Sequence, residues 1–202
     1  MDATSIQQGF VTMIMLDLFS GSGSASQPFL DAGWKVYRYD IEPTGADGIF
    51  IDLKEKMFVN GLIDTWKNKK VDLVWCSPPC THYSDVNPRF HDPLWVPDTL
   101  LWNNCHSIIQ EIQPKNFVIE NVRGAQKTWG PAVQHFGPYY LWGVYPKFTI
   151  PDKIKPKHIA WEKNGPRYTT KRKQAIESAK IPYTIGYHLE RAIRLQERFI
   201  DG

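Results

Sequence analysis

Four short apolar runs and one alternating run, each stopped by a polar residue or a turn, limit most sharply how this chain can fold. Residues 13–19 (MIMLDLF) run into SGSGS, residues 34–39 (WKVYRY) end at Asp40, and residues 49–51 (IFI) end at Asp52. Residues 72–76 (DLVWC) stop at Ser77-Pro78-Pro79-Cys80, and residues 116–121 (NFVIEN) carry Glu120 at their end. Runs of this kind read as buried strands. Between the fourth and fifth, residues 99–112 set Leu100, Leu101, Cys105, Ile108, Ile109 and Ile112 at helical spacing. Strands alternating with helices predict an α/β fold with a mostly parallel sheet. Ligands of such sheets bind beyond the carboxyl ends of the strands, so Ser20, Asp40, Asp52, Cys80 and Glu120 are expected to meet in one crevice.

The turn FSGSGS matches a dinucleotide fingerprint in part: Gly21-x-Gly23 is present, but Ser26 stands where the third glycine belongs. Asp40 follows Gly21 by 19 residues, close to the spacing at which an acid accepts hydrogen bonds from a ribose. An adenosine-containing cofactor is therefore expected, without the turn having to hold a pyrophosphate. The alternative is a tight turn that only packs a helix on a strand.

Of the three cysteines, Cys76 lies inside an apolar run, whereas Cys80 follows two prolines after the run has stopped. Proline fixes its own backbone angle and restrains the residue before it, so Pro78-Pro79 forms a stiff bracket that presents Cys80. A nucleophile needs such placement. A thiol of ordinary pKa is only about 3% thiolate at pH 7, and a following helix terminus or a cation such as Arg89 could supply the drop that would make it mostly thiolate. A zinc site from Cys76, Cys80, His82, Cys105 and His106 is the alternative, but Cys-x2-Cys pairing is absent. No metal is expected.

At 202 residues the chain fits a single domain, residues 1–202. An odd cysteine count favours reduced thiols. The first basic residue is Lys35, too late for a secretory signal, and no run is apolar for long enough to span a membrane. A cytoplasmic protein is expected. The net charge of +3 conceals a basic stretch at 151–180, where nine Lys/Arg face three acids with Trp161 and Tyr168 among them. That mixture suits phosphates and stacked bases, unless it is only a solvated surface. Residues 136–148 read as an aromatic β-ribbon around Trp142-Gly143, and residues 172–180 and 186–199 as helices.

DLFSGSGS, the acids at 40 and 52, SPPCTHYS and IENV stand in the order seen in cytosine carbon-5 DNA methyltransferases, which residues 13–123 resemble. The resemblance implies a Rossmann-like S-adenosylmethionine-dependent methyltransferase fold, with DNA as substrate and S-adenosyl-L-methionine as cofactor. Phe19, Ser20, Gly21, Gly23 and Pro78 would surround the methionine part, Asp40 with Ile41 the ribose, and Asp52 with Leu53 the adenine. Cys80 would attack carbon 6 of cytosine, and Glu120 would hydrogen-bond ring nitrogen 3 and the exocyclic amine. Pro79, Ser84, Arg89 and Asn121 would lie on the substrate side, Asn121 bracing Glu120.

The family's Gln-x-Arg-x-Arg strand has no counterpart in HFGPYYLWG, so the contact to the cytosine oxygen passes to Arg167 or Arg172 by charge and position. Residues 124–185 leave room for only a reduced target-contacting region, which makes a partner protein for target recognition possible. Residues 186–202 would form a closing helix, with Gly186-Tyr187-His188-Leu189 similar to the family's closing Gly-Asn-Ser-Val. Three alternatives stay open: amino-group methylation, an RNA substrate, and an inactive paralogue that binds nucleic acid or regulates a larger enzyme.

Overall fold

The computed structural model describes residues 12–84, 87–151, 153–154 and 179–200. Most of the basic stretch, with Arg167, Arg172 and the helix expected at 172–180, lies outside the described residues. Among the described residues seven strands form one sheet: β1 (Ile14–Leu18), β2 (Lys35–Asp40), β3 (Gly48–Phe50), β4 (Leu73–Cys76), β5 (Asn116–Asn121), β6 (Gln134–Phe136) and β7 (Tyr139–Val144). They lie in the order β3-β2-β1-β4-β5-β7-β6. β1 pairs parallel with both β2 and β4, β3 extends the sheet beyond β2, and β5 extends it beyond β4. β7 alone runs against its neighbours. The strand order therefore reverses between β1 and β4, which opens a crevice at their carboxyl ends.

Strand alternation divides the core into two layers. Leu16, Leu18, Cys76 and Ile119 face one side, where they meet Val59, Leu62 and Trp66 of α2 (Lys56–Trp66) and Cys105, Ile108 and Ile112 of α3 (Leu100–Ile112). Met15, Trp75, Val118 and Leu141 face the other. There they meet Phe29 of α1 (Gln27–Asp31) and Ile185, Leu189 and Ile193 of the last helix (Tyr183–Ile200). A short α4 (Gln126–Trp129) precedes β6, and the last helix is α5 in chain order. Among the described residues no helix is long and apolar enough to cross a membrane.

The five expected strands form, and the helix expected at 99–112 forms at Leu100–Ile112, where Gln113 closes it in the left-handed conformation. The aromatic ribbon forms too, but its turn is elsewhere. The chain reverses at Gly137-Pro138 between β6 and β7, while Trp142 and Gly143 lie within β7. Gly143 is a packing glycine: a Cβ there would stand 2.0 Å from the Phe117 carbonyl oxygen, so β7 could not close on β5. α5 begins at Tyr183, ahead of the expected 186, and Gly186 lets it press on the chain after the glycine turn. A Cβ at Gly186 would fall 2.8 Å from the Ala25 carbonyl oxygen.

Candidate active site

The glycine turn after β1 is held open from below. Phe19, Gly21 and Gly23 all take positive φ (61°, 50° and 71°), an unfavourable conformation for a bulky residue such as Phe19. Ser20 N–H donates to the Tyr39 carbonyl at 3.1 Å, and Gly23 N–H to the Ser20 carbonyl at 2.7 Å. A Cβ on Gly21 would meet nothing within 4 Å, so this face of the turn is open.

Asp40, at the end of β2, receives Gly21 N–H on one carboxylate oxygen at 2.9 Å and Glu42 N–H on the other at 2.8 Å. Each oxygen keeps a further acceptor site, so the pair can still take two hydroxyls. Phe50 lies in register with Asp40 across β2 and β3 and is 58% exposed, and Ile41 is 52% exposed. Two apolar side chains left in solvent beside an acceptor pair suit a flat heterocycle joined to a sugar. Asp52 accepts Lys54 N–H at 3.0 Å, and the Leu53 carbonyl accepts from the Asn104 amide at 2.7 Å. Leu53 itself is buried, so it meets a ligand only through its backbone.

Beyond β4, Pro78 is buried, Pro79 exposed and Cys80 partly exposed, so the thiol behind the two prolines reaches the surface. The bracket has an unforeseen clamp. The Asn121 amide donates to the Pro78 carbonyl at 2.9 Å, and Asn121 Oδ1 accepts Val122 N–H at 2.9 Å. Asn121 is 1% exposed and holds the loop, so it neither braces Glu120 nor faces a substrate.

Glu120 and Cys80 come together. Burial pushes the Glu120 carboxyl up to about 7, opposed by a hydrogen bond from the Ser77 hydroxyl. Trp75 Nε1 donates to that hydroxyl at 2.8 Å, completing a relay from the core to the acid. The Cys80 thiol is also pushed up, by burial first and then by the charge of Glu120. Arg89 does not lower it: its guanidinium stands 5.5 Å over the Trp95 ring. Tyr83 N–H turns back to the Cys80 carbonyl at 2.9 Å, Trp95 stacks on His82, and Asn87 N–H bonds the Ser84 carbonyl. These contacts fix the loop beyond the cysteine. Cys76 and Cys105 are fully buried together between β4 and α3, apart from the partly exposed Cys80, which splits the zinc alternative.

β7 brings Tyr139 to the face of β5 that carries Glu120, which pairs in register with Leu141. Burial and the Glu120 charge push its phenol up to about 12, and its hydroxyl donates to the Lys180 carbonyl at 3.1 Å. On the other side of the same peptide, Ile181 N–H donates to Ser24 Oγ at 2.9 Å, so the chain entering α5 returns to the glycine turn. Ser77 opens the motif the sequence shows, but its link to Glu120 is visible only in the fold. Phe50 and Tyr139 carry no sequence signal of their own: register with Asp40 gives Phe50 its role, and the strand face shared with Glu120 gives Tyr139 its role.

The sequence profile of the family described as C-5 cytosine-specific DNA methylase matches residues 13–135, the glycine turn, the Cys80 loop and Glu120 included. The chain belongs to that family. A frog virus 3 protein named "Probable DNA (cytosine-5)-methyltransferase" is 27% identical over 174 residues, covering 76% of this chain and 78% of that one. A Methanocaldococcus jannaschii relative carrying a type II methyltransferase name is 37% identical over 75 residues. The match covers 35% of this chain and only 20% of that relative's length. A Spodoptera frugiperda DNMT2 structure is similar at 15% identity with a TM-score of 0.41, over 71% of this chain and 53% of the other.

Proposed function

We propose that this chain methylates cytosine at carbon 5 in DNA, with S-adenosylmethionine as donor and Cys80 as nucleophile. The observation that carries the reading is the pairing of a proline-bracketed thiol with an acid whose carboxyl is pushed up to about 7. Cytosine carbon 5 is a weak nucleophile until the ring loses its aromaticity, so the chemistry needs both groups at once.

The donor fits the crevice on this chain's own terms. The open face at Gly21, the spare acceptor sites on Asp40 and the exposed Ile41 and Phe50 match a turn, a ribose and an adenine in order along the strand ends. When bound, S-adenosylmethionine supplies an electrophilic methyl group. Cys80, as thiolate, forms a bond to carbon 6, and the electrons of the 5,6 double bond move toward ring nitrogen 3. Glu120 in its acid form donates a proton there and accepts a hydrogen bond from the exocyclic amine. Carbon 5 then takes the methyl group, with S-adenosylhomocysteine as the leaving group, and gives up its proton to water; the bond from sulfur to carbon 6 breaks as the 5,6 double bond reforms, and ring nitrogen 3 returns its proton to Glu120. A target base must leave the duplex stack to reach these groups.

The basic stretch at 151–180 supplies phosphate contacts in this reading, and the short region after β5 leaves few side chains for base edges. The test is expression in a bacterium free of DNA methylation, followed by nucleoside mass spectrometry and bisulfite sequencing. 5-Methylcytosine in DNA, lost in Cys80→Ala, is the expected result. N4-methylcytosine, methylated RNA alone, or no modified base would overturn the proposal.

A further inference from the structure

The chain departs from the glycine fingerprint at Ser26, and the structure gives that departure a partner. Arg38 lies in β2, in register with Asp17 of β1, at a place where its neighbours on the same sheet face pack into the core. Its guanidinium reaches the glycine turn instead. Nε donates to Ser26 Oγ at 2.9 Å, and a second nitrogen donates to the Gly23 carbonyl and to Gln27 Oε1, each at 3.1 Å. Ser26 is fully buried, and its own hydroxyl points to the Gly23 carbonyl at 3.3 Å.

This contact changes what the second glycine is for. A Cβ on Gly23 would lie 2.5 to 2.9 Å from the Arg38 guanidinium, so the bare side of Gly23 is covered by protein. Gly21, two residues earlier, has nothing within 4 Å on its bare side. One glycine of the pair thus admits the arginine and the other leaves the crevice open. A planar fork with fixed donor directions can tie a carbonyl and a hydroxyl at once, which a lysine cannot do.

We propose that Arg38, anchored on Ser26, is the positioning residue that holds the glycine turn in its cofactor-binding shape, replacing the close packing that a third glycine would give. The proposal rests on the S-adenosylmethionine reading of the crevice. Arg38 touches no reacting atom. It acts through the Gly23 carbonyl, and thereby through the Gly21 N–H that Asp40 receives. Losing the latch should weaken the cofactor and leave the chemistry of the bound state alone.

The experiment measures S-adenosylhomocysteine binding by calorimetry, and amide exchange at Gly21 and Gly23, in the full chain and in Arg38→Met, Arg38→Lys and Ser26→Ala. A hydrogen bond to a charged group sets the expected scale, so affinity should fall about tenfold in Arg38→Met and in Ser26→Ala. The double variant should be little worse than either, because both remove one shared contact. Arg38→Lys should not restore binding, and amide exchange at the two glycines should quicken in every variant. Methylation kinetics should show a raised KM for the donor with kcat retained, a split that general destabilisation does not produce. Ser26→Ala, a smaller change, serves if Arg38→Met fails to fold. Equal affinity in the variants and the unaltered protein would overturn the latch alone. Failure of the unaltered protein to bind would overturn the cofactor reading beneath it.

Discussion

The carboxyl of Glu120 opposes ionisation of the Cys80 thiol, after burial the second cause that pushes that thiol up. The two groups are thus tied. A proton on Glu120 removes the opposing charge and makes the thiolate easier to form, and that combination of acid and thiolate is the one the reaction needs.

Replacing Glu120 with Gln removes the charge and keeps the shape. The Cys80 thiol should then titrate at lower pH, and its alkylation by iodoacetamide at pH 7.5 should quicken several-fold. Peptide mass spectrometry can follow this at one site, since Cys76 and Cys105 are fully buried and react slowly. Methylation should meanwhile fall by about 10²–10⁴-fold, the usual contribution of a positioned acid. Slower alkylation in Glu120→Gln would show that the carboxylate does not act on the thiol.

A covalent intermediate at Cys80 can be trapped. DNA carrying 5-fluorocytosine should leave an adduct that survives denaturation, because carbon 5 then has no proton to lose. Cys80→Ala should abolish the adduct, and Cys76→Ala should keep it while lowering stability through the cavity it leaves in the α3 layer. An adduct that persists in Cys80→Ala would assign the nucleophile elsewhere.

Asp40 serves two loops as well as the proposed ribose, since its oxygens already hold Gly21 N–H and Glu42 N–H. Asp40→Ala should weaken S-adenosylmethionine by about 1–3 kcal/mol, and Asp40→Asn by less, since one acceptor oxygen remains for Gly21. Calorimetry separates the two. Equal affinity in all three proteins would move the ribose site away from β2.

The strands and their polar ends are legible because strands buried in a parallel sheet read as short, mostly apolar runs, and the more exposed β2 as an alternation of apolar and basic residues. The acid-and-thiol pair followed from the strand ends. Asn121 was misread for a reason the strand itself supplies: successive side chains point to opposite faces, so Asn121 cannot share a face with Glu120. It turns instead to the Pro78 carbonyl. Gly143 suggested a turn because a glycine in an aromatic run reads as one, and only the approach to Phe117 shows otherwise. Helix α2 is hard to see in the sequence although Val59, Leu62 and Trp66 keep helical spacing, because Gly61 and the polar residues between them dilute the pattern. Arg38 carries no signal in the sequence, since a half-buried strand position tolerates a cation and nothing local names Ser26 as its acceptor.

Asp17 extends the electrostatics to stability. It is 1% exposed in β1, and burial pushes its carboxyl up from 3.8 to about 7. Ser26 and Arg38 oppose that rise and Asp40 adds to it, while across the sheet Asp17 helps raise Cys76. Between those two pH values the folded chain holds a proton that the unfolded chain has lost, so stability falls as pH rises from about 4 to about 7 and levels off above. Glu120 contributes with the same sign from its ordinary 4.5. Substituting Asp17→Asn fixes this position neutral at every pH. The stability difference between the variant and the unaltered protein should therefore shift by about 3 kcal/mol in favour of the variant between pH 5 and pH 8, whatever its starting offset. Urea denaturation across that range measures the shift directly. A difference that stays constant with pH would mean that Asp17 ionises normally in the fold, with Arg38 compensating its burial in full.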